Sequence, residues 1–129
     1  MDAVKKTIMI VEDERPLLEA FSETLQLAGY DTIVAEDGYK GLDTLAANKD
    51  KVDLMLLDLM MPGMDGLEVL RSIKNEPDKY GNPAVIVLTN MTSERVIKEA
   101  FIIGADSYLI KTELDTADLV KEVEKVLKG

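Results

Sequence analysis

Two kinds of hydrophobic pattern alternate along this chain. Short, nearly continuous apolar runs occur at Thr7 to Val11 (TIMIV), Asp31 to Ala35 (DTIVA), Val52 to Asp58 (VDLMLLD), Ala84 to Thr89 (AVIVLT) and Asp106 to Ile110. Runs of this length bounded by turn residues predict strands covered on both faces, as in a parallel sheet. Between them the apolar positions recur at helical spacing. Leu17, Leu18, Phe21, Leu25 and Ala28 line one face of a segment that Pro16 starts and Gly29 stops. Gly38 to Ala47 predicts a second helix burying Leu42, Leu45 and Ala46, and Leu67, Val69, Leu70 and Ile73 mark a third that ends before Pro77. The next helix runs to Ile103 with Ser93 as its N-cap and Gly104 at its end; Val96, Ile97, Ala100, Phe101 and Ile103 are its expected core face. Asp115 to Leu127 closes the chain, with Leu119, Val120, Val123, Val126 and Leu127 on one side. The segment EPDKYGNP is polar turn chemistry and predicts a surface loop.

Five strands alternating with five helices predict a doubly wound α/β fold. Five strands favour the flavodoxin-like order 2-1-3-4-5, with its crevice at the carboxyl ends of strands one and three. No glycine-rich phosphate loop follows the first strand, which disfavours a dinucleotide site. The 129 residues, 47% of them hydrophobic, fit one compact domain spanning 1–129, with no effector domain expected. Zero Cys and zero His exclude disulfides, thiolate chemistry and a histidine base. A formal net charge of -10 argues against nucleic-acid binding. The opening MDAVKKTIMIV is charged too early for a signal peptide or membrane span, so a cytoplasmic protein without membrane attachment is expected.

The chemistry sits at the strand ends. The first apolar run closes in Glu12 and Asp13, the third in Asp58, the fourth in Thr89, and Lys111 follows the fifth. Singly, each has an ordinary explanation: a turn-capping Asp, a helix-entry Thr, a solvated Lys. In the predicted strand order all five face one crevice, and coincidence at four separate strand ends is improbable. Three clustered carboxylates repel one another unless a divalent cation neutralises them; oxygen ligands point to Mg²⁺. A carboxylate beside Mg²⁺ and Lys111 is placed to attack phosphorus and form an acyl phosphate, with the Thr89 hydroxyl available to a phosphoryl oxygen.

With these residues the chain resembles the receiver domains of two-component response regulators over essentially its whole length. The resemblance rests on Glu12-Asp13, the run from Asp58 through Pro62 and Asp65 to Gly66, Thr89 after AVIVL, and Lys111 three residues beyond Tyr108. It implies that Asp58 accepts a phosphoryl group from a sensor histidine kinase or phosphotransfer protein. Glu12, Asp13, Asp58 and the Met60 carbonyl would serve Mg²⁺, Lys111 would pair with the acyl phosphate, and Thr89 and Tyr108 would form a coupled switch. The outcome is a signalling switch, not an enzyme beyond its own phosphorylation and dephosphorylation. An Asp-nucleophile phosphotransferase would want a second Asp where Met60 stands, and a phosphate-independent docking module would usually lack one of the acids or the Lys.

Two positions depart from the family. Thr112 follows Lys111 where Pro is usual, leaving the isomer of that peptide bond open, and Asn90 follows Thr89 where a small residue is usual. Met60 and Met91 offer no polar group to orient an attacking water, so slow dephosphorylation is expected. On the helix after Thr89, Ile102 falls opposite the core face. With Lys98 and the last helix around Lys121 and Lys125 it is the expected docking surface for a downstream protein or a phosphorylation-dependent homodimer.

Overall fold

The computed structural model describes residues 4–90 and 94–129, so the expectations for Ser93 as a cap and Met91 as a flanking residue lie outside the described residues. Five parallel strands, β1 (Thr7–Val11), β2 (Asp31–Ala35), β3 (Leu54–Asp58), β4 (Ala84–Thr89) and β5 (Ser107–Ile110), form one sheet in the order β2-β1-β3-β4-β5. The helices are α1 (Arg15–Leu27), α2 (Gly38–Ala47), α3 (Gly66–Asn75), α4 (Pro77–Tyr80), α5 (Glu94–Ile103) and α6 (Thr116–Lys128). The doubly wound flavodoxin-like fold read from the pattern is the fold observed.

Side chains alternate along each central strand, and the alternation builds two cores. Met9, Val11, Met55, Leu57, Val85 and Val87 meet Leu42, Leu45, Val69, Leu70, Ile73 and Ala100 on the face covered by α2, α3 and α5. Ile8, Ile10, Leu54, Leu56, Ile86 and Leu88 meet Leu18, Phe21, Leu25, Leu119 and Val123 beneath α1 and α6. The central strand β3 is buried throughout, which is why its run lacks polar alternation. Asp37, Asp65 and Asp115 cap α2, α3 and α6, each accepting a bond from a backbone N–H three residues on, so local signals fix where these helices begin.

Two expectations are corrected. The segment after Pro77 is not simply a surface loop. Pro77–Tyr80 forms one helical turn beside the five longer helices that were predicted, and turns the Tyr80 ring into the core between α2 and α3. On α5, Ala100 is buried, but Phe101 is 42% exposed and does not join the core. β5 is an edge strand only four residues long, so there is too little sheet beneath this helix to cover the Phe101 ring.

The loop between β3 and α3 returns against the strand it left. A Cβ at Gly66 would lie 2.3 Å from the Asp58 carbonyl oxygen and 2.7 Å from the Leu59 Cα, both backbone atoms that cannot swing aside. Gly66 therefore lets α3 start directly against the end of β3, where Asp58 stands. Gly66→Ala is expected to destabilise the protein by about 2 kcal/mol or more, through overpacking against rigid backbone. A urea midpoint equal to that of the unsubstituted protein would show that the loop relaxes freely.

Candidate functional site

Parallel register delivers the polar residues to one edge. Val11 pairs with Ala35 and Leu57, Asp58 with Leu88, and Thr89 with Ile110. Glu12, Asp58, Thr89 and Lys111 are thus within one residue of the carboxyl ends of β1, β3, β4 and β5. Each is held there by the apolar run behind it, and Glu12, Asp58 and Thr89 are buried.

A buried charge needs a partner, and among the described residues the partners come from three elements of the site. The Lys111 ammonium lies 2.8 Å from Glu12 Oε1 and 3.3 Å from Asp58 Oδ2, with its side chain only 4% exposed. The Met60 backbone N–H donates to Asp58 Oδ1 at 3.0 Å, and the Glu14 backbone N–H donates to Glu12 Oε2 at 3.0 Å. Among the described residues Glu12 Oε1 has no hydrogen-bond partner and is met by the Lys111 ammonium as an ion pair. Asp13 is exposed beside them, and oxygens of Glu12, Asp13 and Asp58 lie within 4.8 Å of one another. One ammonium faces three carboxylates, so the cluster carries excess negative charge.

That imbalance is visible in the proton affinities. Burial, reinforced by the charge of Glu12, pushes the Asp58 carboxyl up to about 7, although the Met60 N–H and Lys111 pull the other way. For Lys111, burial acts to lower its pKa, but close contact with Glu12 and the charge of Asp58 outweigh it and hold the ammonium above its ordinary range. Converging oxygen donors, one of them buried without a good hydrogen bond, suit a hard divalent cation and offer nothing to a soft one.

The remaining predicted residues are more scattered. Thr89 is buried at the end of β4. Tyr108 is 41% exposed, its ring edge-to-face with Phe101 at 6.1 Å between centroids and 87° between planes. The Met60 side chain is exposed while its backbone N–H is fixed on Asp58. Lys98, Ile102, Lys121 and Lys125 are exposed on α5 and α6, Ile102 at 84%. The Lys111–Thr112 peptide is trans, since there is no cis bond among the described residues. Two features escaped the sequence: the direct Glu12–Lys111 pair and the Phe101–Tyr108 contact. Only the extra methylene of Glu over Asp hinted at the first.

The elevated Asp58 pKa has a sign that stability must follow. Below about pH 4 the carboxyl is protonated both folded and unfolded, and its burial costs little. As pH rises toward 7 the unfolded chain releases the proton while the folded chain retains it, so stability falls by up to about 1.4 kcal/mol per pH unit, then levels above 7. Asp58→Asn removes the ionisation. In EDTA its melting temperature is expected to exceed that of the unsubstituted protein at about pH 8, with the gap shrinking toward about pH 5. An equal gap at both values would contradict the burial of a frustrated carboxylate.

Comparison with known proteins agrees with this arrangement. The family model described as the response regulator receiver domain matches residues 8–124. Chemotaxis protein CheY4 of Vibrio cholerae superposes with a TM-score of 0.85 at 28% identity, covering 95% of this chain and 99% of that one. CheY of Borrelia burgdorferi, solved in a complex with CheX, BeF3 and Mg²⁺, gives a TM-score of 0.86 at 26% identity over 94% of this chain and 88% of that one. The transcriptional regulatory protein CpxR of Escherichia coli K12 is 36% identical over 121 residues, which is 94% of this chain and 49% of CpxR. The chain spans about half the length of the curated relatives it matches. With the family model covering nearly all of its length and its fold shared with solved receivers, this chain belongs to the response regulator receiver domain family.

Proposed function

We propose that the chain is a phosphorylation-dependent switch that accepts a phosphoryl group on Asp58 from a phosphohistidine of a sensor kinase or phosphotransfer protein. The observation that carries this reading is a buried carboxylate that neither its N–H donor nor its lysine fully compensates. Such a group is costly in the resting fold and is stabilised by a cation bound beside it, which also offsets the further negative charge that a phosphoryl group brings. A carboxylate oxygen of Asp58 attacks phosphorus, forming an O–P bond as the P–N bond breaks, and the bonding pair returns to the imidazole nitrogen of the donor. Lys111, already 3.3 Å from Oδ2, stays with the new acyl phosphate and neutralises part of its charge. The Met60 N–H holds Asp58 in one orientation throughout, which removes a rotational search from the attack.

The oxygens of Glu12, Asp13 and Asp58, with the Met60 carbonyl, would hold Mg²⁺, which when bound supplies the positive charge that lowers the proton affinity of Asp58 and screens the phosphoryl oxygens. Thr89, buried at the adjacent strand end, is the group whose hydroxyl turns toward the phosphoryl oxygens, and Tyr108 follows it. Since α5 comes shortly after Thr89 in sequence, its position reports the state of the site. Ile102 and Lys98 on α5, with Lys121 and Lys125 on α6, form the surface through which a downstream protein or second copy reads that state.

The chemistry is tested with a small phosphodonor such as acetyl phosphate and intact-mass measurement. One phosphoryl group is expected per chain, dependent on Mg²⁺, lost in Asp58→Asn and lost in excess EDTA. A phosphoryl adduct that survives either change would overturn the assignment. The output surface is tested with Ile102→Glu. This variant should fold and be phosphorylated normally but lose phosphorylation-dependent association in light scattering or pull-down by at least about tenfold, the loss expected when an apolar anchor is replaced by a charge. Association at unchanged affinity would leave Ile102 an ordinary exposed side chain.

A further inference from the structure

Phe101 and Tyr108 make a contact that the arrangement of the rest of the fold does not require. Phe101 lies on α5 and Tyr108 on β5, each about two-fifths exposed, and their rings meet edge to face with planes 87° apart. Neither ring belongs to either hydrophobic core. The contact is not what holds α5 on the sheet: buried Ala100 and the partly buried Val96 and Ile103 pack on the core, and Glu99 pairs with Arg71 of α3. What it does hold is the side-chain direction of Tyr108. A ring standing at the open edge of the sheet would otherwise sample several rotamers, and a perpendicular neighbour at 6.1 Å selects one of them, the outward one.

Tyr108 pairs in register with Val87, two residues before Thr89 on the adjacent strand. An inward rotation of its ring toward the Thr89 end of the site therefore has to break the contact with Phe101. An edge-to-face contact of this kind stabilises the arrangement in which it is made, here the outward one. Any state that draws the Thr89 hydroxyl toward a phosphoryl group competes against it.

We propose that Phe101 is a positioning residue that latches Tyr108 outward and so sets how far the unphosphorylated chain already populates the active conformation. The latch presupposes phosphorylation at Asp58, as proposed above. An edge-to-face pair of this kind shifts a two-state equilibrium by roughly two- to tenfold. Removing the Phe101 ring is therefore expected to raise the inward population, and with it the rate of phosphorylation by a small donor, by a factor in that range. Phe101→Tyr keeps a ring at the same place and should behave as the unsubstituted protein does.

The test uses the full chain labelled with 3-fluorotyrosine. Its four tyrosines give a small set of fluorine resonances, of which Tyr108→Phe identifies the relevant one. Spectra and acetyl phosphate reaction rates are compared for the unsubstituted chain, Phe101→Leu and Phe101→Tyr, with and without donor and Mg²⁺. Phe101 is half exposed, so Phe101→Leu is expected to fold, and its melting curve checks this. In Phe101→Leu without donor, the Tyr108 resonance should move part of the way to its position in the phosphorylated, unsubstituted chain, and the reaction should speed up; Phe101→Tyr should restore both. If the unsubstituted chain shows a phosphorylation-dependent Tyr108 shift but Phe101→Leu changes neither resonance nor rate, the latch is overturned and the switch survives. If the unsubstituted chain takes up no phosphoryl group, or takes one up without moving Tyr108, the underlying reading falls and the latch falls with it.

Discussion

The ion cluster of Glu12, Asp58 and Lys111 is the constraint around which this fold is arranged. Two carboxylates buried at the ends of adjacent strands are an expense for a domain whose net stability is expected to be about 5–15 kcal/mol. A single ammonium, 2.8 Å from one and 3.3 Å from the other, keeps both tolerable without fully compensating either. Replacing such a cluster with apolar side chains would often stabilise a protein, so its presence marks a place where stability has been exchanged for chemistry.

The scaffold is correspondingly stiff around that place. Asp58 ends β3, which is buried along its whole length, and the backbone on its far side is pinned by α3 starting at Gly66, where no side chain would fit. Rigidity of this kind is what allows a carboxylate to sit in an unfavourable environment without swinging out to solvent. The edge is less deeply buried: β5 is short, partly exposed and carries Tyr108, and α5 packs on the core through Ala100 with the partly buried Val96 and Ile103. A fully buried centre that holds the charge, next to a partly exposed edge, is a layout in which a local charge change can be passed to the surface.

Much of this was legible in the sequence because burial on both faces erases polar alternation, and the apolar runs then stop where the chain reaches the crevice. TIMIV before Glu12, LMLL before Asp58 and AVIVL before Thr89 say both that these strands are central and which residues stand at their ends. What remained hidden depends on distances between elements. The helical turn at Pro77–Tyr80 looked like a loop because its composition is polar, and only its packing between α2 and α3 gives Tyr80 a core to enter. Phe101 has the spacing of a core residue on its helix, yet the edge strand beneath is too short to cover it. The Glu12–Lys111 pair joins residues from opposite ends of the chain, and no periodicity encodes that.

The central claim is that Asp58 is a buried carboxylate held away from its ordinary ionisation until positive charge arrives. A carbon-13 titration of the Asp58 side-chain carboxyl, in EDTA and again in Mg²⁺, reads this directly. The account predicts a midpoint near the value of about 7 in the absence of metal. In Mg²⁺ it predicts a clear downward displacement. A midpoint in the ordinary aspartate range near about 4 without metal, or one that Mg²⁺ leaves unmoved, would contradict it.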